Sequence, residues 1–345
     1  MSTVGVAFLL VTGLDLCRAN VLSAVASRTG IFDSNGDQLG ELSGSSLIAE
    51  PPPAIEFHTS TRRARYVLVD NAMETRSDVT SSERRNCDLV MPHSERDALI
   101  EPSLLASDIG SLSAAARTVA AAGAEWVHVD INDGSSICQR SLSSLGPASV
   151  AAVRTAAPSL HVDVHLYTVD PEAHVAEVAK AGASRITFQW EALLLDSTEA
   201  RVPSGADAAT RRAAALARAR ALAASIRAAG CTVGCCLAPS TAADEIAELC
   251  DADELELVNV LSVEPGIGGQ PFQPTVMDKV RRIRAAHPKL PLLMVDGGID
   301  ATTAPLAAAA GANALVSGSY LFKALPGQMG ERLEVLEHAL KEHGD

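Results

Sequence analysis

Trp126-Val127-His128-Val129-Asp130-Ile131-Asn132 sets polar against apolar side chains in near-strict alternation. In an extended strand successive side chains leave on opposite faces. His128, Asp130 and Asn132 therefore share one face, and Val127, Val129 and Ile131 the other. Such a strand suits a closed parallel barrel. Its apolar face meets covering helices, and its polar face looks into the lumen near the C-terminal mouth, where barrel enzymes place their chemistry.

The pattern repeats on both sides of this segment. Strands are expected at 99–104, 126–130, 160–166, 185–189, 232–237, 255–261, 291–295 and 314–317. Between them lie Ala-rich helical patterns at 112–122, 148–156, 171–181, 208–229, 242–249, 274–286 and 304–309, with a last helix near 331–341. Gly or Pro marks several helix ends, among them Gly123, Pro158, Gly182, Gly230 and Gly311. Eight such pairs in about 245 residues fit an α/β (β/α)8 TIM barrel better than an open doubly wound sheet. A dinucleotide-binding sheet needs a Gly-rich turn after its first strand, and Ser103-Leu104-Leu105-Ala106-Ser107 contains no glycine.

The third strand carries a second polar face: His161, Asp163, His165 and Tyr167 share one parity. The seventh ends Val295-Asp296-Gly297-Gly298. His128, Asp130, His165 and Asp296 can therefore converge at the mouth. Burying such charge without a metal would cost several kcal/mol per ion, so a metal site is expected. Mixed imidazole and carboxylate ligands suit Zn, Fe, Mn or Co better than Ca or Mg. His161 is expected deeper in the barrel, in a structural role. Asp163 is expected to support a ligand rather than to be one.

Three Gly-containing loops follow the last three strands: Gly266-Ile267-Gly268-Gly269, Gly297-Gly298 and Gly318-Ser319. Without side chains in the way, backbone N–H groups can approach an anion, and adjoining helix N-termini add positive potential. Loops seven and eight are the usual phosphate site of this barrel.

Composition agrees. Of 345 residues 47% are hydrophobic but only 3% aromatic, as expected for Ala-rich helices over a Val/Ile/Leu-rich sheet. A formal net charge of −14 argues against nucleic acid or an anionic membrane surface as partner. A phosphate site must then act locally, through backbone N–H groups and helix ends. The seven cysteines form no CxxC pair and fit a reducing compartment. Residues 1–96 show no repeat or motif, mix Ser, Asp, Arg and Glu, and carry Pro51-Pro52-Pro53. They are expected to be an N-terminal extension of low order, ahead of a barrel at 97–345. The apolar run Gly5–Leu14 is too short to span a bilayer, and no positive side chain precedes Arg18. A cytoplasmic location is expected, with plastid targeting by the extension as the alternative, and so is a homo-oligomer.

From about Ile100 to Phe322 the chain resembles the ribulose-phosphate 3-epimerase family. The resemblance rests on Pro102-Ser103, on His128-Val-Asp130 followed by Asp133-Gly134, and on Asp163-Val-His165-Leu. It continues in Pro265-Gly-Ile-Gly-Gly-Gln270-Pro-Phe272, Val295-Asp-Gly-Gly-Ile299 and Gly318-Ser319. It implies a ribulose-phosphate-binding barrel and C3 epimerisation of a ketose phosphate, from D-ribulose 5-phosphate to D-xylulose 5-phosphate. His128, Asp130, His165 and Asp296 would hold one divalent metal. Asp130 would accept the C3 proton and Asp296 donate one on the opposite face, through a metal-stabilised enediolate. Ser103 and His165 would contact substrate near the metal. Gly266, Ile267, Gly268, Gly269, Gly297, Gly298, Gly318 and Ser319 would hold the phosphate.

The chain departs from the family around the cavity. Asn132, Tyr167 and Leu261 stand where the family usually has methionines, Gln189 where it often has His, and Glu264 where it usually has Asn. The loop after Asp133-Gly134 is rewritten, and an Ala/Arg-rich insertion after Glu191 is expected to extend the fourth helical region. The more polar cavity keeps a hexulose (allulose) 6-phosphate 3-epimerase open as an alternative. The altered loop keeps open a barrel that binds sugar phosphate without turning it over.

Overall fold

In the computed structural model the described residues are 98–135, 145–195, 207–266, 268–325 and 327–343, with the backbone of four short strands nearer the N-terminus. Contacts divide the chain into Met1–Val79 and Thr80–Asp345. In the first unit Thr29–Phe32 pairs antiparallel with Gln38–Leu42, and Ile55–Thr59 with Arg62–Tyr66. The remainder of the expected extension lies outside the described residues.

The second unit is the (β/α)8 barrel. Its strands are β1 (Leu99–Pro102), β2 (Trp126–Asn132), β3 (His161–Tyr167) and β4 (Arg185–Gln189), then β5 (Thr232–Leu237), β6 (Leu257–Leu261), β7 (Leu292–Asp296) and β8 (Ala314–Ser317). Consecutive strands pair in parallel from β2 to β8, and β8 pairs with β1. A single parallel bridge, Ser103 to His128, closes the ring between β1 and β2.

Helices α1 (Leu112–Ala121), α2 (Pro147–Ala156) and α3 (Val175–Ala181) cover the first strands. A short α4 (Trp190–Leu193) precedes α5 (Ala208–Ala228), the long helix expected from the insertion. Asp207 caps α5 by accepting from Thr210 N at 2.7 Å. Ala215, Leu216, Ala219, Leu222, Ala223 and Ile226 form its buried stripe. The circuit ends with α6 (Ala247–Asp251), α7 (Met277–Ala286), α8 (Ala304–Ala309), α9 (Ser319–Phe322) and α10 (Met329–His343). The helical patterns expected to start at Pro171 and Pro274 open as 3-10 turns, Pro171–His174 and Pro274–Val276, before becoming α3 and α7. The expected first strand stops at Pro102. Leu104–Ala106 turns into a 3-10 segment, which aims Ser103 at the mouth.

Two cores follow from the alternation. Outside the sheet, Val127, Val129, Val162, Val164, Ile186 and Phe188 are fully buried against the helices. Inside it, the lumen is split by chemistry. Its β6–β8 side is an apolar plug of Leu257, Leu292, Met294, Ala314 and Val316. Its β1–β4 side carries Glu101, His128, Asp163, Arg185 and Thr187, all fully buried. A polar half-lumen is tolerable only if its groups satisfy one another, and their pairing sets up the candidate site.

Candidate metal and phosphate site

Register does the first part of the work. Asp130 on β2 lies opposite His165 on β3, and His128 lies opposite Asp163. Asp296 arrives from across the lumen at the end of β7. His128, Asp130, His165 and Asp296 each offer a ligand atom, and these atoms lie within 4.8 Å of one another. His128 Nε2 is 3.3 Å from Asp130 Oδ1 and 3.8 Å from Asp296 Oδ2, and His165 Nδ1 is 3.4 Å from Asp130 Oδ1. The four expected ligands are therefore brought together.

The two imidazoles are oriented from behind. His128 Nδ1 faces Glu101 Oε2 at 3.3 Å and Asp163 Oδ2 at 3.5 Å. Asp163, kept ionised by Arg185, can only accept, so Nδ1 carries a proton toward it and Nε2 is the nitrogen left to offer a lone pair to a cation. Arg185 Nη1 donates to Glu101 Oε1 at 2.7 Å, and Thr187 Oγ1 donates to Asp163 Oδ1 at 2.8 Å. The Arg185 guanidinium also lies over the Trp126 ring, 4.1 Å from its centroid. On the other side His165 Nε2 meets Gln189 Oε1 at 3.0 Å. The Gln189 amide cannot flip, because its Nε2 donates to Glu191 Oε2 at 2.5 Å. Glu191 is itself held by Ala238 N and the Thr241 hydroxyl. His165 thus carries its proton on Nε2 and leaves Nδ1 as the lone pair.

His128 Nε2 and His165 Nδ1, the two nitrogens turned toward the carboxylates, are buried without a hydrogen-bond partner. Such atoms are rare in folded proteins and ask for a ligand. Two lone-pair imidazoles and two carboxylates around one point fit a borderline divalent cation. Asp163 lies outside the four, and with Glu101 and His128 it forms a second group whose possible ligand atoms lie within 4.8 Å of one another. His161 is partly buried and stacks on Trp126, with ring centroids 4.9 Å apart.

The charges separate the two carboxylates. Without a cation, the carboxylates around His128 favour its charged form, and that charge, against the effect of burial, holds the Asp130 carboxyl far below the ordinary range. Burial, helped by the Asp130 charge, pushes Asp296 up to about 6. Burial and Asp163 likewise push Glu101 up to about 7. In the cation-free site, then, Asp130 stays ionised while Asp296 holds a proton more readily.

A cavity of about 550 Å³ opens from this cluster. Ser103 donates to Asp130 Oδ2 at 3.2 Å and lines its floor. Asn132, Tyr167 and Leu261 line its wall; the Tyr167 ring sits on His165 at 3.9 Å and packs with Cys236 and Leu261. Gly266, Gly268, Gly269, Gly297, Gly298, Gly318 and Ser319 all line it as well, and Ile267 lies outside the described residues. Two of these glycines are required as such. Gly297 (φ 112°) and Gly298 (φ 64°) are left-handed, and a Cβ on them would lie 2.5 Å from Val263 Cγ2 and 2.8 Å from Phe272 N.

Sequence reasoning missed Glu101, Arg185, Glu191 and two cations that line the cavity, Lys323 and Arg332. The signal for the first pair was present: Glu101 shares the parity of Ser103, and Arg185 that of Gln189, each a charge inside an apolar strand.

The ribulose-phosphate 3 epimerase family model matches residues 99–202 and 198–322. The chain is 36% identical over 234 residues to the cytoplasmic isoform of ribulose-phosphate 3-epimerase from Oryza sativa subsp. japonica, covering 67% of this chain and 91% of that relative. It is 34% identical over 236 residues to ribulose-phosphate 3-epimerase of Eremothecium gossypii, covering 66% and 87%. It is 31% identical over 234 residues to the chloroplastic ribulose-5-phosphate-3-epimerase of Arabidopsis thaliana, covering 67% and 74%. Among solved structures, a crystal structure of KGPDC from Streptococcus mutans superposes with a TM-score of 0.52 at 13% identity, covering 73% of this chain and all of that one; this supports the barrel fold alone. The matched span holds the converging His and Asp side chains and the glycine cradle, and on that ground the chain belongs to the ribulose-phosphate 3-epimerase family, enzymes that are isomerases.

Proposed function

We propose that this chain epimerises C3 of a ketose phosphate, interconverting D-ribulose 5-phosphate and D-xylulose 5-phosphate. The observation that carries the reading is the pair of buried, partnerless imidazole nitrogens turned toward Asp130 and Asp296 at the floor of a glycine-ended cavity. His128, Asp130, His165 and Asp296 would hold one divalent cation, of the Zn, Fe, Mn or Co class. Such a cation, when bound, supplies Lewis-acid stabilisation of the negative charge that develops on the substrate oxygens.

The chain's own residues do the rest. Asp130, ionised, removes the proton from C3, and the electron pair moves into the C2 carbonyl to give an enediolate. Asp296 returns a proton to the opposite face of C3, and the C2 carbonyl re-forms. The same two groups exchange roles in the reverse direction. Ser103 donates its hydroxyl proton to Asp130 Oδ2, which leaves the Ser103 oxygen free to accept from a substrate hydroxyl. The backbone N–H groups of Gly266, Gly268, Gly269, Gly297, Gly298, Gly318 and Ser319 bind the phosphoryl group and so fix C3 between the two carboxylates.

The test separates the two carboxylates. Asp296→Asn should still exchange the C3 proton of ribulose 5-phosphate with solvent but form no xylulose 5-phosphate. Full turnover by Asp296→Asn would overturn the assignment. A second reading, a hexulose 6-phosphate epimerase, is favoured by one observation: Asn132 and Tyr167 put polar groups on the cavity wall. A higher kcat/KM on allulose 6-phosphate than on ribulose 5-phosphate would establish it.

A further inference from the structure

Lys323 and Arg332 line the same cavity as Gly298, Gly318 and Ser319. Lys323 follows α9 directly, and Arg332 sits in the first turn of α10. Arg332 is held in place. Its guanidinium lies over the Tyr320 ring, 4.8 Å from the centroid, and Nη1 donates to the Tyr320 carbonyl oxygen. Elsewhere cations are matched with carboxylates: on α5, Arg212 pairs with Glu248, Arg218 with Glu172 and Arg227 with Glu256. Among the described residues no ion pair joins Lys323 or Arg332 to a carboxylate. Two cations without carboxylate partners among the described residues, one of them held against Tyr320 next to Ser319, line one cavity in a chain of net charge −14.

Besides Asp130 and Asp296, two carboxylates line the cavity, and both are engaged locally. Asp300 accepts from Thr302 N and Thr303 N at 2.8 and 3.0 Å, and Glu264 accepts from Gln273 Nε2 at 3.3 Å. Both still contribute negative potential where a phosphate dianion would enter. Backbone N–H groups supply dipoles but no net charge, so a glycine cradle alone works against that field. An arginine already fixed on one face and free at its other nitrogens is suited to a phosphoryl oxygen, and a nearby lysine adds a mobile point charge.

We propose that Lys323 and Arg332 are side-chain arms of the phosphoryl subsite, Arg332 as a direct contact and Lys323 as a flexible second charge. This rests on the phosphate-end reading above. With these arms the subsite selects a dianionic phosphate monoester over the uncharged sugar by net charge, in addition to backbone geometry.

The experiment titrates inorganic phosphate into the full-length chain by calorimetry, and measures KM and kcat for ribulose 5-phosphate alongside. Arg332→Ala should weaken phosphate binding and raise KM about ten- to a hundred-fold, with a much smaller change in kcat, as for loss of a charge-assisted hydrogen bond. Lys323→Ala should weaken both about two- to five-fold. Arg332→Lys should recover part of the loss. Arg281→Ala, which removes the same charge from an exposed position on α7 beside Asp278, should bind phosphate as the wild type does. If Arg332→Ala does not fold, Arg332→Lys and Lys323→Ala decide. Wild-type phosphate affinity and KM in the Arg332 and Lys323 variants would overturn the assignment of the arms. A wild-type chain that binds neither phosphate nor ribulose 5-phosphate would overturn the phosphate-end reading itself.

Discussion

Replacing Gln189 with Leu tests whether the site is built for a cation. Gln189 touches no expected ligand atom that faces the cavity. Its Oε1 accepts from His165 Nε2 at 3.0 Å, and its Nε2 is committed to Glu191. Leucine fills similar space but accepts nothing, so the Nε2–H of His165 is stranded in a fully buried position. Stranding a buried donor costs about 1–3 kcal/mol. The ring can escape by moving its proton to Nδ1, which relieves Nε2 and destroys the lone pair offered to the metal. Loss of such an orienting partner lowers metal affinity typically about 10- to 100-fold, or about 1.4–2.7 kcal/mol. The assay is competition for Zn or Mn against a chelator of known affinity, with thermal unfolding as the control for folding. Gln189→His, which can again accept from Nε2–H, should recover most of the affinity. Metal affinity within about two-fold of wild type in folded Gln189→Leu would refute the tautomer argument, and with it the reading of His165 as a ligand.

Gly298→Ala places a Cβ 2.8 Å from Phe272 N on a residue at φ 64°. It should cost at least about 1 kcal/mol of stability from the left-handed backbone, and raise KM for ribulose 5-phosphate more than it lowers kcat; an unchanged KM would place the phosphoryl group elsewhere. In chelator-treated protein the Asp296 carboxyl is raised from its ordinary 3.8 to about 6, so the folded state holds a proton there that the unfolded chain releases. The stability this group contributes is present below about pH 4 and is lost as pH rises through about 6. Metal-free Asp296→Asn should therefore exceed metal-free wild type by roughly 1–3 kcal/mol at pH 8 and by little at pH 4, read from urea unfolding; a gap that does not change with pH would contradict the burial of that charge.

The barrel was legible because periodicity changes are strong signals. Val/Ile/Leu-rich segments alternate with helical patterns, several of them Ala-rich, and all eight expected strands overlap the observed ones. The convergence of His128, Asp130, His165 and Asp296 was legible from parity alone, since a barrel strand leaves only two directions for a side chain. What hid was whatever depends on three-dimensional neighbours. Glu101 and Arg185 stand 84 residues apart and meet only because β1 and β4 face the same half-lumen. Gln189 was noticed only as a departure. Its role became visible once Glu191, two residues on, was seen to fix its amide. Lys323 and Arg332 carry no pattern of their own, and Arg332 is placed by a stacking contact with Tyr320 that no spacing announces.

The central claim is proton transfer at C3 by two carboxylates around a divalent cation. The measurement that tests it most directly is conversion of ribulose 5-phosphate in deuterated water, with the C3 position of the product read by NMR before chelation, after chelation, and after the cation is restored. The account predicts xylulose 5-phosphate carrying solvent deuterium at C3, loss of turnover on chelation, and its return with added Zn, Fe, Mn or Co. Product that retains the original hydrogen at C3, or turnover indifferent to chelation, would contradict it.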